Sequence, residues 1–316
     1  MAKPDYVNRG GIQCYAQPYS AKKARAYGFM IEVDQNAVQR NVCDKLFNIP
    51  SGGKLNYVPL LPYVMLTFTH IQRLASTTEP YASLGCYTES ELAIAVLMWD
   101  EASQSAAWTY PYIWVDNPLA MVMGREVFGI PKELGWFYPP MNSQTDDEVF
   151  TVSTLVARKR YPPNKAYQQQ IASVMRTDHD NANPIANFVH TLEDIAGEAL
   201  TAAEIVAAIL PKLPFSIDIK NMDIDLPIAF LKEIRDVADG TKACYQSIIQ
   251  AMLHVERIED YRFLPGSYEA KLGQFDSHPI CTDLGLPADK AIPVLFGCCS
   301  MYDFTLGNGT NVWTAE

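Results

Sequence analysis

The chain is 316 residues long, enough for one large domain or two smaller ones, and its 48% hydrophobic and 19% charged content describes a folded, soluble chain. A formal net charge of −11 argues against nucleic acid as a partner. No apolar run reaches the roughly 18 residues of a membrane helix. The opening MAKPDYVNRGGIQ lacks the apolar core of a signal peptide, and seven cysteines with no Cys-x-x-Cys pair point to a reduced, cytoplasmic protein with no membrane partner.

In chain order, residues 26–34 read as a strand, after which Asp34 opens a helix over QNAVQRNVCDKLF with Val38, Val42 and Leu46 at helical spacing. Within 57–70 the stretch YVMLTFTH reads as a strand, and so do 91–99, 110–115 and 149–157. These runs are short, apolar and separated by Pro, Gly and Asn, which predicts a strongly curved, mostly antiparallel sheet. From Lys165 to Leu210 the pattern turns helical: Thr201-x-x-Glu204 is a capping box, Ile205, Ile209 and Leu210 follow, and Pro211 ends the run. PIAFLKEI (227–234), a turn at Asp239-Gly240 and CYQSIIQAMLHVERI (244–258) predict a hairpin. The tail, AIPVLFGCCSMYDFTL, Asn308-Gly309 and TNVW, predicts a second, terminal hairpin. The expected fold is α+β and mostly β, one domain over 1–316 with a helical insertion at about 165–225.

Several chemistries lack their residues. There is no Gly-x-Gly-x-x-Gly, no phosphate loop and no Gly-x-Ser-x-Gly elbow. Asp178-His179-Asp180 resembles the start of a calcium loop, but the pattern fails at Ala182, Asn183 and Val189. The five histidines are scattered without ligand spacing, and His254 reads as a sheet residue. Neither metal nor cofactor is expected.

The segment GREVFGIPKELG (124–135) is different. Lys132 follows an Ile-Pro pair at the end of an apolar stretch, a placement suited to a buried, rigid lysine. Burial disfavours the ammonium, and a neutral amine attacks ketones to form a Schiff base. Taken alone, a lysine in such a turn is more often solvated. Its company changes the weighting: LGCYTES (84–90) carries Glu89, and WVDNPLAMVMGRE (114–126) lies between the two segments.

Together these segments resemble the acetoacetate decarboxylase superfamily, whose members carry a Gly-Cys-Tyr-Thr-Glu-Ser loop and an Asp-Asn-x-x-Ala stretch running into Gly-Arg-Glu. A Pro-Lys pair follows six residues past that Glu. Here the matching residues are Asp116-Asn117, Ala120, Gly124-Arg125-Glu126 and Pro131-Lys132, and Arg25-Ala26-Tyr27 is a weaker third match. The resemblance covers roughly 1–160 and 227–300. It implies a cone-like barrel with peripheral helices and a lyase that forms a lysine imine with a keto acid or β-keto compound. Decarboxylation and aldolase-dehydratase chemistry both start from that imine. Lys132 is then the nucleophile, Glu89 the facing acid or base and Arg25 a carboxylate partner near the entrance. Glu126 is a structural neighbour. The family commonly forms homo-oligomers, and some members act in biosynthesis.

One position departs from the family. The archetypal decarboxylase follows its Schiff-base lysine with a second lysine, and here Glu133 stands there. A carboxylate close to the amine favours the ammonium, so the reactivity of Lys132 depends on where Glu133 points. Two other readings remain open: a binding or regulatory protein that keeps the cavity without catalysis, and an imine-independent cyclase or isomerase with Tyr87, Tyr112 and Trp114 lining a larger site.

Overall fold

The computed structural model describes residues 4–7, 14–79, 86–143, 148–159, 165–177, 224–288 and 290–315. Its strands are β1 (Tyr19–Glu32), β2 (Tyr57–Pro59), β3 (Tyr63–Ser76), β4 (Tyr87–Asp100), β5 (Ser105–Val115), β6 (Lys132–Leu134) and β7 (Trp136–Tyr138). They continue with β8 (Val149–Val156), β9 (Tyr167–Thr177), β10 (Ile224–Arg235), β11 (Ala243–Phe263), β12 (Ser267–Leu272), β13 (Ile292–Leu306) and β14 (Thr310–Thr314). The sheet is large, curved and mixed. Strands β5, β4, β3, β1, β13, β11 and β10 follow one another by hydrogen bonding, and β10 returns to β5 through the parallel pair Ile228–Trp108, closing a ring. Strands β12, β9, β8 and β7 extend from β13 as a flap packed against the outside of the ring.

Period-two alternation assigns each strand face. On β1 the outward Tyr27, Phe29 and Ile31 are buried against the flap, while Ala26, Gly28 and Met30 face the ring interior. The outer core is aromatic: Phe150 of β8 stands 5.0 Å from Phe29 and 5.3 Å from Phe68, centroid to centroid, and Tyr268 of β12 lies 5.2 Å from Phe29. Phe150 is 1% exposed, so truncating it to Ala costs about 3–5 kcal/mol.

Asp34 caps the first helix as expected, accepting from the amides of Asn36 at 2.8 Å and Ala37 at 3.3 Å. The helix is α-helical over Gln35–Val38 and π-helical over Gln39–Asn48, and buries Val38, Val42 and Phe47 against the sheet. The β10–β11 hairpin also forms, in register from Ile224–Val255 to Arg235–Ala243.

Two expectations differ. Tyr167–Thr177 is strand β9, paired with β8 and β12, not the start of a helical block. Its Gln-rich opening hides the strand, whose next four residues, Ile171 to Val174, are all buried. The rest of that block, with the Thr201–Glu204 capping box and Pro211, lies outside the described residues, as does the calcium-like stretch at 178–189. At the C-terminus, β14 pairs with β11 and not with β13, because after β13 the Gly307 amide bonds to the Met252 carbonyl of β11.

Candidate active site

The segment that delivers Lys132 is built by local rules. Asn117 caps a short helix, its side chain accepting from the Leu119 amide at 2.9 Å with Pro118 at the first helical position. The helix, α-helical over Pro118–Met123, continues π-helical over Gly124–Phe128 and ends at Gly129, whose φ of 76° is left-handed. The Ile130 amide then bonds back to the Gly124 carbonyl at 3.0 Å, a Schellman-type stop. Gly129 is also required for space, since a Cβ there meets Lys232 Cα at 2.5 Å. Pro131 then directs the chain into β6, which runs parallel to β5 with Lys132 opposite Ile113.

Asp116 and Asn117 join the two motif segments. Asp116 accepts from the Ser90 amide at 2.7 Å and donates its own amide to the Ser90 carbonyl at 3.0 Å. Asn117 Nδ2 donates to the Thr88 carbonyl at 2.8 Å. Both residues flanking Glu89 are thereby fixed, so Glu89 is held on the ordered start of β4 and not in a loop.

Lys132 and Glu89 meet. Lys132 is 9% exposed, Glu89 is 1% exposed, and the ammonium donates a short hydrogen bond to Glu89 Oε1. Glu91 faces the same nitrogen, with Oε2 at 3.6 Å from Nζ and its side chain 20% exposed. Glu89 and Glu91 share one face of β4 by strand alternation. The other Glu89 oxygen, Oε2, is buried without a hydrogen-bond partner among the described residues. Gly124 makes room for the lysine: a Cβ there meets Lys132 Cδ at 2.7 Å. Arg125 supports it from behind, Nη1 donating to the Lys132 carbonyl at 3.2 Å.

The electrostatics run against a spontaneously neutral amine. Burial pushes the Lys132 pKa down, but the carboxylates of Glu89 and Glu91 outweigh it and hold the ammonium above its ordinary range. Burial pushes Glu91 up to about 7; Lys132 opposes this and Glu89 adds to it. The anion that matters is therefore not Glu133. On β6 it points to the opposite side from Lys132, where Oε2 lies 2.8 Å from Nε2 of the buried His278.

Glu91 opens onto a cavity of about 230 Å³ inside the ring, lined from β1, β3, β4, β5, β10, β11 and β13. Arg25 is not brought there; it lies on the outward face of β1, across from His70, between the inward positions of Ala24 and Ala26. Glu126 is exposed, and its partner is Cys14, whose thiol is pushed up by burial and then by Glu126. Tyr112 donates to Asp283 at 2.6 Å and Trp114 is buried in the outer core, so the aromatic lining comes instead from Trp108, Tyr110, Tyr261 and Tyr302. His254 is a sheet residue, 2.6 Å from Asp225 and on the outside of β11. No cluster of three potential metal ligands occurs among the described residues.

Residues 7–158 match the family model of acetoacetate decarboxylase. Similar solved structures share that fold across nearly the whole chain. An acetoacetate decarboxylase from Legionella pneumophila superposes with a TM-score of 0.58 at 14% identity, covering 99% of this chain and 93% of its own. Residues 7–158 thus carry the acetoacetate decarboxylase family match, and the fold is shared across the chain. An acetoacetate decarboxylase-like enzyme from Sphingomonas wittichii RW1 gives 0.56 at 13% identity, covering 99% of this chain and 100% of that one. The enduracididine biosynthesis enzyme MppR, in complex with pyruvate, gives 0.51 at 15% identity with coverages of 96% and 93%. A search of curated proteins by sequence finds no match. Relative to the superfamily pattern, the sequence motifs marked Lys132 and Glu89 but missed Glu91. The two-residue step from Glu89 was the available signal, once 87–90 is read as strand.

Proposed function

We propose that this protein is an imine-forming lyase acting on a keto acid or β-keto substrate, with Lys132 as nucleophile. The observation that carries this reading is the lysine ammonium buried between two carboxylates, one of which, Glu91, lines the ring cavity. Glu91, held near neutrality, takes the proton from Lys132 and frees the amine. The amine adds to the carbonyl carbon. The carbinolamine oxygen leaves as water, taking the proton back from Glu91, and the resulting iminium cation stays paired with Glu89. The iminium then accepts the electron pair of the adjacent C–C or C–H bond. Glu89 Oε2 is the basic oxygen left to receive the substrate proton.

Reduction with borohydride in the presence of a panel of keto acids and β-keto compounds, followed by intact mass and peptide mapping, tests this. An adduct on Lys132 that disappears in Lys132→Ala is expected; no adduct with any carbonyl overturns it. A second reading draws on the same ion cluster. A lysine held charged by two acids is a slow nucleophile, which suits a binding protein that keeps the cavity without catalysis. Ligand-induced stabilisation that persists in Lys132→Ala, without turnover of the parent, favours that reading.

A further inference from the structure

We infer that the substrate is a neutral, elongate ketone or β-dicarbonyl compound with an apolar tail and no ionised carboxylate. This rests on the imine reading and selects within it. Three features of the cavity carry it: the inventory of charge, the two unpartnered donors and the gradient of side-chain size along the ring.

The charge inventory is one-sided. Among the described lining residues there is no lysine, arginine or histidine, and the only charged side chain is that of Glu91. The Lys132 ammonium behind it is already matched by Glu89. Arg25, the residue the family comparison offered for a carboxylate, stands on the other face of β1. The cavity resists even its own second anion: burial and Glu89 push the Glu91 carboxyl up despite the lysine. A substrate carboxylate would enter as a third anion against a single cation, in a space whose tyrosines and Cys298 burial keeps neutral.

Two donors suit a neutral acceptor oxygen. The Thr69 hydroxyl, on a residue 2% exposed, and the Trp108 indole N–H are both buried without a hydrogen-bond partner among the described residues, and both residues line the cavity. Thr69 is directly across from Glu91 in the β3–β4 register, the position for a second carbonyl one or two atoms from the imine carbon.

The rungs of the ring grade from polar to apolar. Ser300, Ala26, Thr69 and Glu91 form one rung, Cys298, Gly28, Thr67 and Ala93 the next, and Phe296, Met30, Met65 and Ala95 the third. Inward positions on β4 continue to Leu97, six residues past Glu91 and about 20 Å at about 3.3 Å per residue. Ala26, Gly28 and Ala93 line the cavity on the first two rungs, and aliphatic side chains from β10 and β11 line its side.

The test is cyanoborohydride trapping at pH 7.5 with four probes: acetone, 2-octanone, 7-oxooctanoate and 2-oxooctanoate. Trapping of 2-octanone on Lys132 is expected to exceed that of either acid at least tenfold, equivalent to about 1.4 kcal/mol, and to exceed that of acetone. Ala93→Leu, which fills the second rung, should remove the advantage of 2-octanone over acetone. An acid trapped as fast as 2-octanone overturns the substrate class and leaves the imine reading standing. So does trapping of acetone alone. Trapping of none of the four overturns both.

Discussion

Replacing Glu91 with Gln should make the protein more stable and less reactive, and both effects should depend on pH in a defined way. Burial places the Glu91 carboxyl near 7 against an ordinary value of 4.5. Between those values the unfolded chain has already released the proton that the folded chain keeps. Stability therefore falls as pH rises from about 4.5 to about 7 and is level above that window with respect to this group. The rise from 4.5 to about 7, at about 1.36 kcal/mol per pH unit, sets the full loss at about 3 kcal/mol. This is an upper figure, because 20% of the side chain is open to the cavity and to its hydration. Lys132, Tyr110 and Tyr302 also face this carboxyl, but the phenols stay neutral and the lysine stays charged over the same range. Denaturant unfolding of parent and Glu91→Gln should agree at pH 4 and differ by up to about 3 kcal/mol in favour of the variant at pH 8.5. Cyanoborohydride trapping should show the chemical counterpart. In the parent the rate rises through about 7 and levels, because Lys132 delivers its proton to Glu91 within the site. The variant lacks that acceptor, so its rate should rise about tenfold per pH unit towards the lysine's own pKa. A variant less stable than the parent at pH 8.5, or stabilised equally at both pH values, refutes burial as the dominant force on Glu91. A parent profile without a plateau refutes its role as proton acceptor.

Other substitutions isolate the remaining parts of the site. Glu133→Gln should leave the pH profile of Lys132 trapping unchanged, since that carboxylate meets His278 and not the amine; a shifted profile means that its charge reaches the lysine. Gly124→Ala places a Cβ at 2.7 Å from Lys132 Cδ, so trapping should slow at least tenfold and stability should fall by about 1–3 kcal/mol from overpacking, read by denaturant titration. Unchanged trapping there shows that the lysine stem can shift freely. Lys132→Met removes the partner of a carboxylate that is 1% exposed and should cost about 3–5 kcal/mol at pH 8. Adding Glu89→Gln should recover most of that loss, and a double variant no more stable than the single one argues that Glu89 is held by other groups.

The positions of the ring strands were largely legible in the sequence, because each carries enough Val, Ile and aromatic residues between turn-forming breaks to be read locally. Strand β9 was not, since its first residues, Tyr167 to Gln170, are polar and lie on an exposed or half-exposed edge. The pairing of β14 was equally hidden: a chain reversal at Asn308-Gly309 predicts a partner by proximity, whereas the partner was chosen by the hydrogen-bonding edge that β11 leaves open. At the site, the motifs singled out Lys132 and Glu89, which meet in the structure, and left open where Glu133 points. Attention went to Glu133 because it is adjacent in sequence, yet adjacent residues on a strand point to opposite sides, and the register of β6 on β5 sends Lys132 inward and Glu133 outward. The carboxylates that hold the lysine charged are Glu89 and, two residues on along the same strand face, Glu91, and Asp116 and Asn117 tie the residues flanking Glu89 to the turn after β5. A second cation next to the lysine would therefore have acted from outside the ring. In this chain the charge of Lys132 is held from inside by Glu89 and Glu91, and Glu91 also lines the cavity, so under the imine reading one carboxyl bears on both proton release and substrate charge.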